Sequence, residues 1–188
     1  MVWASLLFPT ERDKELKAIL IAELRAQVSP LLESLGFRVF RPRKDKTKGF
    51  PTNYYRVFPG RIDVISFQWR KYGRPAFIID FNVIDDLSKF TSMAKEGSET
   101  WFVAPWYRAK SNRGPFERWF HIGYLPRLFD ARGTARREVQ SACARIREID
   151  AFAKSGETSA YLRDLRTFEQ ARRVVAPERE VDPMSGTT

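Results

Sequence analysis

Ala76-Phe77-Ile78-Ile79-Asp80-Phe81-Asn82-Val83-Ile84 decides how this chain folds. Phe77, Ile79, Phe81 and Val83 fall on one side of a period of two, and Asp80 and Asn82 fall on the other. Alternation of this kind, rich in aromatic and β-branched residues, is the pattern of a strand with one apolar face. Upstream, Arg61 to Tyr72 alternates less cleanly, with Ile65, Phe67 and Trp69 opposed to Ile62, Val64, Ser66 and Gln68. Asn53 to Phe58 is a further strand, joined to it at Pro59-Gly60, a turn dipeptide. Phe37 to Phe40 is a short strand, and 42–52 is a loop rich in Pro, Gly and Lys. Apolar groups on both faces point to an antiparallel sheet with helices on one side and partial cover on the other.

The period changes on either side of these strands. Leu16, Leu20, Leu24, Val28, Leu32 and Leu35 recur at helical spacing after Thr10-Glu11-Arg12-Asp13, a capping-box start with Asp in place of Glu. Pro30 is expected to kink that helix or restart it behind Ser29. Gly36 suits a left-handed cap, with Phe37 packing back. Downstream, 85–100 is a polar loop or short helix, and Trp101–Tyr107 and Phe116–Tyr124 are two more strands. Ala135–Ala153 and Thr158–Val174 return to helical period. The expected fold is therefore α+β: a mainly antiparallel sheet with a long N-terminal helix and two C-terminal helices packed on it. We assign 1–175 to a single domain and 176–188, which has no periodicity, to a disordered tail.

The 188 residues carry 33 Lys+Arg against 23 Asp+Glu, a formal charge of +10. The excess is concentrated: residues 37–75 hold eleven basic and two acidic groups. Arg38, Arg41, Arg43, Lys44, Lys46 and Lys48 fall within eleven positions. Such density attracts phosphates, acidic proteins or anionic lipid headgroups; its bland alternative is a solvated, charged loop. Aromatic residues interleave with these cations, as in Trp69-Arg70-Lys71-Tyr72 and Trp106-Tyr107-Arg108. Exposed rings stack on unpaired bases. Tyr72 and Tyr107, near turns, are the rings expected to be exposed, whereas Phe40, Phe67, Phe77 and Phe81 are expected in the core.

Several chemistries lack their residues. One Cys (Cys143) and one His (His121) exclude an internal disulfide and a Cys-built zinc site. No phosphate-binding Gly-rich loop and no Gly-x-Ser-x-Gly elbow occur. Cys143 sits between two alanines in a helical pattern, which is the setting of a buried structural thiol. No cofactor is expected. No run approaches the length of a membrane span, and the apolar stretch at residues 3–9 lacks a charged flank and a cleavage site. A cytoplasmic location without membrane contact is the expectation.

Asp63 and Asp80 lie on successive strands, as the carboxylates of a restriction-type nuclease do, with Glu23 and Glu33 available on the first helix. Such carboxylates hold a magnesium ion. Asn82 stands where that layout places a Lys, and Arg56 can instead pair with Asp63 across the hairpin.

Leu35-Gly36-Phe37, Tyr55-Arg56, Ile65-Ser66-Phe67-Gln68 and the strand through Asn82 together resemble an uncharacterised bacterial family of the domain-of-unknown-function type. The resemblance covers about residues 14–125. Val83 follows Asn82 where that family has Gly, and the basic loop is longer here. It implies an α+β fold, with Arg56, Gln68 and Asn82 at family-typical positions, and an immunity-type or partner-binding role. The favoured expectation is a non-enzymatic binding protein whose basic surface contacts an acidic protein or nucleic acid. Its contacts are Arg38, Arg41, Arg43, Lys44, Lys46, Lys48, Arg70 and Lys71, with Arg56 and Gln68 as cleft groups. A metal-dependent nuclease built on Asp63 and Asp80 is the alternative.

Overall fold

The computed structural model describes residues 10–40, 49–70, 73–84, 107–111, 119–122, 130–157 and 159–164. They run in the order α1 (Glu11–Ser34), β1 (Arg38–Phe40), β2 (Asn53–Phe58), β3 (Arg61–Trp69), β4 (Ala76–Ile84), β5 (Tyr107–Ala109), β6 (Phe120–His121), α2 (Ala131–Ser155) and β7 (Leu162–Asp164). The strands form one sheet ordered β1-β2-β3-β4-β5-β7, and β6 also pairs with β4. Every pairing is antiparallel.

Helix α1 starts where its cap residues dictate. The Asp13 amide donates to Thr10 Oγ1 and the Thr10 amide donates to Asp13 Oδ2, both at 3.1 Å. These bonds satisfy amides that the first turn leaves without intrahelical partners. Leu16, Leu20, Leu24, Val28 and Leu32 form the buried row. Pro30 lies inside the helix, which continues to Ser34 without restarting at Ser29. The end is a Schellman cap: Phe37 N–H donates to the Leu32 carbonyl at 2.9 Å and Gly36 N–H to Glu33 at 3.0 Å. Gly36 has φ +83°, and a Cβ built there would meet nothing within 4 Å. The cost of Gly36→Ala is therefore backbone strain alone, and we expect about 1–2 kcal/mol lost in urea unfolding.

The core lies between the helices and one face of the sheet. Phe77, Ile79 and Phe81 of β4 and Ile65 and Phe67 of β3 pack with the α1 row and with Val139, Ala142, Ile146 and Ile149 of α2. Phe77 is its aromatic centre, stacked on Phe120 with ring centroids 5.1 Å apart and touching Phe67 and Trp69 at 5.9 and 5.7 Å. The opposite face carries a smaller cluster, Ile62, Val64 and Ile84, with Tyr55 against it. It also carries a polar row. Register sets Asn53, Ser66, Asp80, Arg108 and Arg163 side by side across five strands.

The expected third helix is a correction. Among the described residues there are two helices, and Leu162–Asp164, assigned to a helix over 158–174, forms strand β7. Gly156, at φ 72°, ends α2 in the left-handed conformation. Beyond it, the free edge of β5 takes up the chain: Tyr107, Arg108 and Ala109 pair with Asp164, Arg163 and Leu162. Arg145 over the Tyr161 ring (3.3 Å) fixes the connection. Sheet completion overrides the helical spacing at Leu162–Asp164, and the remainder of that expected helix, from Leu165 on, lies outside the described residues. The tail assigned to 176–188 and the element assigned to 85–100 lie outside the described residues. No helix among those described is long and apolar enough to cross a membrane.

Candidate functional site

The two ends of the sheet treat positive charge differently. Near the Pro59-Gly60 turn the cations are consumed internally. Arg56 faces the helices from β2, directly opposite Asp63 of β3. Its Nε and Nη2 donate to Asp63 Oδ2 at 3.0 and 2.9 Å, and its Nη1 donates to the Leu35 carbonyl at 3.1 Å and to Asp150 Oδ1 of α2. The guanidinium also lies over the Phe37 ring, 4.4 Å from its centroid. One side chain thus joins the sheet, the end of α1 and α2. Arg61 sits 3.2 Å from Asp63 Oδ1, out of line for a hydrogen bond, and donates to the Ala153 carbonyl. Lys154 donates to Asp150 Oδ2 at 2.9 Å.

Burial pushes the Asp63 carboxyl above the usual range, against the pull of Arg56 and Arg61. Burial acts on Asp150 in the same sense, but the hydrogen bonds from Arg56 and Lys154 outweigh it and hold that carboxyl low. Arg56 is therefore no cleft group, a correction to its expected binding role: it is 5% exposed, with its donors committed to protein acceptors.

Asp63 and Asp80 do not form a site together. Asp63 is opposite Val83, and Asp80 is opposite Ser66. Three residues of offset between the two registers put the carboxylates on opposite faces of the sheet, because side chains alternate. Asp80 is held instead by its cross-strand neighbour Arg108, whose Nε and Nη2 donate to its two oxygens at 2.7 and 3.3 Å. A sheet-thick separation denies this pair a shared magnesium ion, and the nuclease layout fails at its first requirement.

The other end of the sheet is where the remaining excess charge is attached. Phe40, Asn53 and Ser66 share one row, and Trp69 and Phe77 close the same end. The segment after Phe40 and the turn after Trp69 therefore both leave from this end, as they must in an antiparallel meander. Arg41, Arg43, Lys44, Lys46, Lys48 and Lys71 lie outside the described residues. Of the expected contacts that are described, Arg38 and Arg70 are exposed. Gln68 is half-buried, on the face away from the helices. Arg25 of α1 donates to the Gly49 carbonyl at 3.2 Å, anchoring the returning chain.

Trp69 and Trp119, described at this end, are already occupied. Lys17 of α1 lies 4.8 Å from the centroid of Trp69, and burial lowers its ammonium pKa. Arg70 lies 6.0 Å from the centroid of Trp119. Tyr107, expected to be exposed, is buried against Phe152 with centroids 4.6 Å apart. Phe40 is half-buried at the edge strand, edge-on to Tyr55, and is absent from the main core. Tyr72 lies outside the described residues.

His121 Nδ1 is 2.9 Å from the Trp119 carbonyl, a local backbone contact. Cys143 is buried in α2, and burial raises its thiol pKa against the pull of Arg147, which keeps it in the unreactive form. Two residues of the buried ion pairs, one on each face of the sheet, escaped the sequence. Asp150 carried a signal, an acid on the same helical stripe as Ile146, Ile149 and Ala153, which demands a buried cation. Arg108 carried none, since its partner lies 28 residues away. No family model matches the chain, and no curated protein or solved structure matches it.

Proposed function

We propose that this protein is a non-enzymatic binder that holds a polyanionic partner, an acidic protein or nucleic acid, against the basic end of its sheet. One observation carries the reading: the chain segments holding the charge excess, 41–48 and 70–74, are both attached to the same sheet end. The buried network at the opposite end supports it by contrast. There Arg56 and Arg61 are neutralised by Asp63 and Asp150, whereas 38–48 offers six cations against the single acid Asp45. Clustered cations of this density raise the local concentration of polyanions and speed their association.

Charge reversal tests it. Lys44→Glu, Lys46→Glu and Lys48→Glu combined should weaken binding to a B-DNA duplex or to polyglutamate at least about tenfold at low salt. For the duplex, the slope of log K against log salt should fall by about 2.7, at about 0.9 per phosphate contact. Arg136→Glu with Arg137→Glu is the control. Both residues lie on α2, near Glu23 and Asp130 respectively. Equal loss from the two sets would mean that net charge, not this end of the sheet, does the binding.

A further inference from the structure

Strand β1 is the terminal strand of the sheet, and no strand lies beyond it among the described residues. The two large apolar residues exposed among those described, Val39 (36%) and Val57 (56%), both lie at this edge, on β1 and on β2 beside it. The exposure has a cause. Arg38 is opposite Tyr55, so the same register continued brings Gly36, the helix cap, opposite Val57. Glycine has no side chain to cover it. Beyond Tyr55, β2 runs on through Arg56, Val57 and Phe58 with no β1 partner, leaving a stepped edge.

Unpaired edges recruit strands, and natural edges are blunted by charge and short length. Here the charge selects the recruit. A second copy pairing through β1, a strand of three residues, would bring the exposed Arg38 of each copy to the same short edge. Like charges across a strand pair repel. A strand bearing Asp or Glu reverses the sign. Single-stranded nucleic acid is disfavoured because the rings described at this end of the sheet, Trp69 and Trp119, already carry Lys17 and Arg70.

We infer that the partner is an acidic protein that docks an extended segment onto the β1–β2 edge by strand addition. Main-chain hydrogen bonds to β1 give affinity, acidic side chains meet Arg38 on the face away from the helices, and the alternate apolar side chains cover Val39 on the other face. This rests on the basic-surface reading and specifies how the partner is held.

The test uses a blocked decapeptide of alternating Glu and Val, the same peptide N-methylated on alternate amides in each of the two phases, and polyglutamate of equal charge. Binding of the parent peptide should slow amide exchange at Arg38–Phe40. N-methylation in one phase, and separately Arg38→Glu, should each weaken it at least tenfold. Arg38 is exposed, so its reversal leaves the core intact. If all the peptides and polyglutamate bind alike, with no change in exchange at β1, strand addition is wrong while the basic-surface reading survives. Slowed exchange on self-dimerisation without peptide, or binding of single-stranded DNA but not the peptide, likewise overturns the inference. Failure of every polyanion to bind removes both.

Discussion

Arg56→Ala should destabilise the protein by about 3–5 kcal/mol, the range for removing one partner of a buried ion pair. The substitution takes both hydrogen bonds from Asp63, fully buried, leaving it only the Arg61 ion pair at 3.2 Å, and leaves Asp150 with Lys154 alone. Against a total stability of about 5–15 kcal/mol for a domain, that is enough to unfold a large fraction of the molecules. Arg56→Lys should recover little, because an ammonium cannot reproduce the two bonds that converge on Asp63 Oδ2 together with those to Leu35 and Asp150. Replacing Arg56, Asp63 and Asp150 together by Met, Leu and Leu should return most of the loss, since a buried ion network is often no more stable than its apolar equivalent. Urea titrations of the three variants decide this. A harmless Arg56→Ala would mean the guanidinium is not held as described, and would reopen a binding role for it.

Phe77→Ala should cost a similar amount, about 3–5 kcal/mol for a buried phenylalanine. Phe77 has no exposed surface and touches Phe67, Trp69 and Phe120. Its loss opens a cavity under the end of β3, beneath the turn that carries Arg70. An unchanged urea slope with a lowered midpoint is the expected signature. A loss under 1 kcal/mol would contradict the packing described.

How much of this was legible in the residues follows from the range of the interactions. The row Leu16–Leu32, the cap at Thr10 and Asp13, the Gly36-Phe37 stop and strands β2 and β4 rest on neighbours within a turn or one pleat, and the residues announce them. The sidedness of β4 was equally plain, because alternation alone sets Phe77, Ile79 and Phe81 apart from Asp80 and Asn82. Strand β7 was hidden, because its cause is an open edge on β5 more than fifty residues earlier. Tyr107 was misjudged for the same reason: proximity to a turn says little once Phe152 of α2 covers the ring. Asp63 and Asp80 looked like partners because spacing along two strands does not reveal which face each occupies. That depends on the length of the intervening turn, and the observed register separates them. The basic surface was legible as composition only. What the fold adds is the common exit of two charged segments and the removal of Arg56 and Arg61 from the available cations.

The most direct measurement is a salt titration of the wild-type protein with a fluorescent B-DNA duplex and with labelled polyglutamate, followed by anisotropy in the presence of magnesium. The account predicts that at least one of them binds, that log K falls linearly as log salt rises, and that the label stays on full-length material. A probe that is cut, or affinity that does not respond to salt, would contradict it.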